Sequence, residues 1–142
     1  MTRPGRRPVL RAMLLALWGA IALRRPLRAE DQPFREDAEA WLALVDRRQY
    51  DESWSRASAY FRFAVAPPHW TELARGAREP LGELVARTLR SVTHVTALPG
   101  APDGDYRVLR FDSRFAYKTR AVETLTLARE ADGWRVAGYF IK

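Results

Sequence analysis

The chain has 142 residues, the length of a single domain, with 24 basic side chains against 17 acidic ones and no cysteine. Seven arginines (Arg3, Arg6, Arg7, Arg11, Arg24, Arg25, Arg28) lie in residues 1–29 beside no acid, so residues 30–142 carry 17 basic groups against all 17 acids. That neutrality removes the support for a nucleic-acid partner, and the missing cysteine excludes disulfides, thiolate metal sites and lipid attachment through an N-terminal cysteine.

The N-terminus has the layout of an export signal. A basic stretch, "MTRPGRRPVLR", precedes an apolar run of 12 residues, Ala12–Leu23. That is the length of a signal-peptide core and short of the roughly 20 residues needed to span a bilayer. Cleavage after Ala20-Ile21-Ala22 or after Ala29 both remain open, and arginines at both ends keep a short uncleaved inner-membrane anchor as the alternative. Residues 1–29 are therefore expected to be a signal segment and residues 30–142 one exported, periplasmic domain. Membrane contact is then expected only in passing, through that segment.

In "REDAEAWLALVDRR", residues 35–48, Ala38, Trp41, Leu42 and Val45 fall at i, i+3, i+4 and i+7, one face of a helix. Acids (Glu36, Asp37, Glu39) crowd its expected first turn and Arg47 and Arg48 its last, as the helix dipole favours. A second helix is expected to open at Asp51 and to carry Tyr50, Trp54, Ala57, Phe61 and Val65 along one side. Pro67 and Pro68 suit the entry to a third, with Trp70, Leu73, Ala74 and Ala77 inward and "REPLG" as its stop.

From there the period changes to two. Residues 84–98, 106–117, 122–130 and 134–141 read as four antiparallel strands. In the second, Leu109, Phe111, Phe115 and Tyr117 share one face and Val108, Arg110, Asp112 and Arg114 the other. Asp132-Gly133 marks a tight hairpin into the last strand. Apolar groups on both faces of that strand (Trp134, Val136 and Phe140 against Ala137, Tyr139 and Ile141) predict a position between neighbours and under helices, away from a wet edge. The expected class is α+β, with three N-terminal helices packed on a curved four-stranded antiparallel sheet.

The segments "AWLALVDRRQYDESW", "REPLG" followed by Arg87, "LPGAPDGDY" and "VETLTLAREADGWRVAGYFIK" resemble, in order and spacing, a bacterial family known as domain of unknown function 4019. The resemblance covers residues 38–142. It implies an exported protein with a cone-shaped fold similar to nuclear transport factor 2 and its SnoaL-like relatives, or cystatin-like, in which a bent sheet wraps helices around a pocket. It implies no catalytic residues.

Chemical signatures are sparse. The two histidines, His69 and His94, stand 25 positions apart, so no metal is expected, and no phosphate loop or nucleophile elbow occurs, so no cofactor is expected. Both histidines are read as solvated, and Trp41, Trp54, Trp70 and Trp134 as core. Arg87, Arg110, Asp112, Arg114 and Glu123 fall in strands beside large apolar groups. Buried charges need partners, which suggests a cross-strand pair of Glu123 with Arg87 or Arg114. The plain reading is a structural pair or a solvated sheet face. The sharper one makes Arg87, Arg114 and Glu123 the polar lining of a pocket, with Asp112 or Glu123 as a base and Tyr117 or Tyr139 as hydrogen-bond donor.

Three functions fit: a non-catalytic module for a small apolar ligand or a protein partner, a small isomerase- or hydrolase-like enzyme, and a dimerisation domain. The first is the expectation, because export, neutrality and aromatic content accompany the absence of catalytic signatures.

Overall fold

The computed structural model describes residues 31–142, so the expected signal segment lies outside the described residues. Helices α1 (Gln32–Asp46), α2 (Tyr50–Ser55), α3 (Ala59–Ala64) and α4 (Pro67–Arg78) lead through a 3₁₀ turn, Glu79–Leu81, into strands β1 (Leu84–Val95), β2 (Tyr106–Phe115), β3 (Lys118–Glu130) and β4 (Gly133–Ile141). The strands form one open antiparallel sheet in the order β1-β2-β3-β4. The architecture is α+β.

The described residues hold four α-helices where three were expected, because the second expected helix is cut in two. Ser58 makes the break. Its backbone N–H donates to Val136 O at 2.8 Å, and its Oγ accepts from Phe61 N–H at 3.0 Å, capping α3. The first helix begins earlier than expected, at Gln32 with a proline in its first turn, so Glu36, Asp37 and Glu39 lie beyond that turn and Arg47 sits outside the last. The expected dipole pattern is absent from α1. Asp37 instead accepts from Trp134 N–H at 3.2 Å, and Glu39 pairs with Arg35 at 2.8 Å. On α4 the inward stripe is Trp70, Ala74 and Arg78, at i, i+4 and i+8, which leaves Leu73 and Ala77 exposed against expectation.

The core lies between the helices and one sheet face. Phe34, Trp41, Leu42 and Val45 of α1 meet Leu109, Phe111, Leu125, Leu127, Trp134 and Val136 of the sheet. Phe34 packs edge-on to Trp134 at 5.8 Å, and Phe61 to Trp70 at 5.1 Å. The buried indole N–H groups are satisfied: Trp41 donates to Ser53 O at 2.8 Å and Trp70 to Ser53 Oγ at 2.9 Å.

The last strand is an edge strand, contrary to the expected central place. The reason is a β-bulge. Val136 faces Leu127 and Gly138 faces Thr126, which leaves Ala137 as an extra residue. Trp134 and Val136 point to the core before it, and Tyr139 and Ile141 after it, while Phe140 turns out to solvent, 61% exposed. The two apolar faces seen in the sequence are one face with a slip of phase. Similar register shifts occur in β1 at Val85 and Arg90.

Tyr117 also departs from expectation. It follows the end of β2, in the turn to β3, and is 83% exposed. Its ring covers Gly82, whose φ of 74° ends the 3₁₀ turn and where a Cβ would stand 2.7 Å from Tyr117 Cδ2.

Candidate functional site

At one end of the core, elements from the whole domain bring polar side chains together. Asp46 is the last residue of α1, Arg78 the last of α4, and Arg87, Ser113, Glu123 and Tyr139 come from β1 to β4 in turn. Arg87 stands opposite Ser113 in the ladder, and the Ala137 bulge aims Tyr139 at the same place.

Glu123 is fully buried. Its Oε1 accepts from Arg87 Nε at 2.7 Å and Ser113 Oγ at 2.6 Å, and its Oε2 from Tyr139 Oη at 2.6 Å and Arg87 Nη2 at 3.1 Å. Arg87 also grips Asp46, Nη1 to Oδ2 at 2.8 Å and Nη2 to Oδ1 at 2.9 Å. Arg78 donates to Asp46 Oδ1, lies 3.7 Å from Glu123 Oε2, and stacks over the Phe115 ring at 4.7 Å. Two carboxylates and two guanidiniums make the cluster neutral.

Burial pushes the Asp46 carboxyl up, but the hydrogen bonds and charges of Arg87 and Arg78 outweigh it and hold it below its ordinary 3.8. Burial opposes charge on Arg87 too, yet Asp46 and Glu123 raise its pKa further. Burial first, and the charge of Glu123 second, push Tyr139 well above its ordinary range, so it stays a neutral phenol. Each Glu123 oxygen already accepts two hydrogen bonds, which fills its lone pairs. The arrangement clasps helices to sheet and leaves no open lone pair on Glu123. Beside it is a cleft of about 40 Å³ lined by Asp46, Tyr50, Arg78 and Glu79. Tyr50 Oη and Arg78 Nε, both buried, have no partner among the described residues.

The structure thus brings together Glu123, Arg87 and Tyr139 and separates them from Asp112, Tyr117 and Arg114. Asp112 lies on the solvent face of β2, 3.4 Å from Arg90, with both side chains over half exposed. Alternation explains it: Ser113 points inward, so its neighbours Asp112 and Arg114 point out. Sequence reading missed Asp46, Arg78 and Ser113. The available signal was a charge continuing an apolar stripe, Asp46 four residues after Leu42 and Arg78 four after Ala74.

A separate depression lies on the solvent face of the sheet where pairing of β2 with β3 is irregular between Ser113 and Phe115. About 530 Å³ in volume, it is floored by Ala86 and Val122, edged by Arg114, Thr119 and Arg120 with Asp112 at the margin, and reaches Ser113 and Ala121, which alternate onto the inward face. Among the described residues, Arg114 and Arg120 have no ion-pair partner, no group of three or more His, Cys, Asp or Glu is placed to hold a metal, and no helix is long and apolar enough to cross a membrane. His94 Nε2 lies 2.8 Å from Asp105 Oδ1 at the surface.

Comparison with protein families matches residues 37–139 to the family described as "Protein of unknown function (DUF4019)". Comparison with curated proteins gives no match.

Proposed function

The chain belongs to the DUF4019 family, and on that basis we propose that it is an exported, non-catalytic binding module whose ligand lies in the solvent-face depression between β2 and β3. The observation that carries the reading is the division of polar groups between the two sheet faces. Inside, both oxygens of Glu123 are taken, and a cleft of about 40 Å³ adjoins the cluster. Outside, an apolar floor with two arginines at its rim has the size of a small-molecule site. An apolar body with one carboxylate or phosphate suits those walls, since a guanidinium meets either oxyanion with two parallel bonds. Export rests on the basic, apolar and small-residue order of residues 1–29. Helices followed by a bulged antiparallel sheet support the cone-shaped fold implied by the family resemblance.

Native mass spectrometry of the protein, expressed from its full chain and recovered from the periplasm, tests both parts. The expected result is a chain shortened by 22 or 29 residues, as set by cleavage after Ala22 or after Ala29. It should carry extra mass that is lost on denaturation. Full-length protein confined to the cytoplasm contradicts export, and a native mass equal to the denatured mass contradicts a retained ligand.

A further inference from the structure

The hydrogen-bonding alternation of β4 leaves one stretch of sheet edge open. Val122 and Lys142 exchange both backbone bonds, Val122 N–H to Lys142 O at 2.9 Å and Lys142 N–H to Val122 O at 3.2 Å. Stepping by two along the antiparallel ladder, Thr124 with Phe140 and Thr126 with Gly138 are the next bonded pairs. Tyr139 and Ile141 fall between them, so their N–H and C=O groups turn away from β3. Among the described residues these groups have no backbone partner.

Other parts of the sheet's perimeter are interrupted or covered. In the first half of β4, Trp134 N–H is taken by Asp37 and Val136 O by Ser58 N–H. The β1 edge is broken by register shifts at Val85 and Arg90, and bulges and edge charges are common guards against strand pairing. Among the described residues, the second half of β4, residues 138–142, keeps an edge with no such guard. Next to it, on the solvent face, stands Phe140, 61% exposed.

We propose that this edge pairs with the same edge of a second copy of the chain, antiparallel about a two-fold axis at Phe140. The geometry is self-complementary. Tyr139 of one copy faces Ile141 of the other, and the reverse, so every open N–H meets an open C=O. Phe140 then faces its own symmetry mate as a non-hydrogen-bonded pair, the closer kind, with Cα atoms about 4.5 Å apart. The two sheets join into one of eight strands, and the contact closes on itself as two-fold contacts do. A strand from another protein would satisfy the backbone equally but would not explain why the outward residue at the centre of the open stretch is an exposed aromatic.

The absence of native cysteine makes the test direct. Phe140→Cys places one thiol per chain at a spacing a disulfide can bridge. Val85→Cys, at a position 56% exposed on the opposite edge, reports random collision. With the full chain at micromolar concentration under mild oxidation, Phe140→Cys should cross-link faster than Val85→Cys by on the order of tenfold or more, because pairing raises the local thiol concentration. Sedimentation of the parent protein should show a dimer. Equal cross-linking of the two variants, a monomer at all concentrations, or a dimer in which Phe140→Cys fails to cross-link would each overturn the proposal. Stable binding of an unrelated strand in place of self-association would overturn it as well.

Discussion

Tyr139 Oη lies 2.6 Å from Glu123 Oε2, and it reaches that position because Ala137 is an extra residue in β4. Counted from Trp134 and Val136, strict alternation would send Tyr139 to solvent and Phe140 into the core. Removing Ala137 joins Val136 directly to Gly138, so the strand alternates without a bulge and Tyr139 still stands opposite Leu125 and beside Glu123. We expect deletion of Ala137 to cost less than about 3 kcal/mol of stability in urea unfolding, the range of ordinary substitutions. A loss above about 4 kcal/mol, the size of a severe core lesion, would show that Tyr139 and Phe140 had exchanged faces.

A partly buried tyrosine, Tyr139, and a buried one, Tyr50, give a contrast. Tyr139 donates to a buried carboxylate, whereas Tyr50 Oη has no partner among the described residues. Tyr139→Phe should destabilise by about 1.5–3 kcal/mol, the worth of a hydrogen bond to a charged group. Tyr50→Phe should change stability by no more than about 0.5 kcal/mol. Chemical denaturation of both variants measures the difference, and equal losses would contradict the hydrogen-bond assignment.

Breaking the ion cluster from one side strands a buried charge. Glu123→Leu alone should cost about 3–5 kcal/mol, because Arg87 and Arg78 then share only Asp46. In the double variant Glu123→Leu with Arg87→Met, Asp46 and Arg78 remain as a neutral pair. The double loss should therefore fall short of the summed single losses by about 1–3 kcal/mol. Additive losses would mean that the two side chains act independently.

The same cluster sets a pH dependence whose two limbs have different owners. Asp46 is held below its ordinary 3.8 in the fold, so its contribution is present above that pH and lost as pH falls below it. Tyr139 is raised above its ordinary 10.0, so its contribution is complete below pH 10 and lost as pH rises beyond it. Stability measured against pH should be flat between those limits, with a shallower acid limb in Asp46→Asn and a shallower alkaline limb in Tyr139→Phe. Burial raises Tyr50 as well, so part of the alkaline limb remains. Limbs unchanged in both variants would place the titrations elsewhere.

The fold class was legible because both periods are strong. The inward positions of α1, and the four strands, follow from spacing alone. What escaped reading depends on single residues that interrupt a period. Ser58 ends one helix and caps the next, and nothing in the spacing of Ala57, Phe61 and Val65 betrays it. The bulge at Ala137 made a one-faced edge strand resemble a two-faced central one. Half of the site was visible as charges inside apolar strands, Arg87 and Glu123. Asp46 and Arg78 were not, because a charge at a helix end is usually solvated, and only tertiary packing turns these two inward.

Assigning binding to the solvent face and scaffolding to the buried cluster can be tested in one titration. Protein expressed from the full chain and labelled with ¹⁵N would be titrated with sodium decanoate, an apolar chain with one carboxylate, while amide shifts are followed. Shifts should concentrate at Ala86, Arg114 and Thr119–Val122, and Arg114→Gln with Arg120→Gln should weaken binding by about tenfold, as loss of charged hydrogen bonds does. Shifts centred on Arg78, Glu123 and Tyr139, or none at all, would contradict that division of labour.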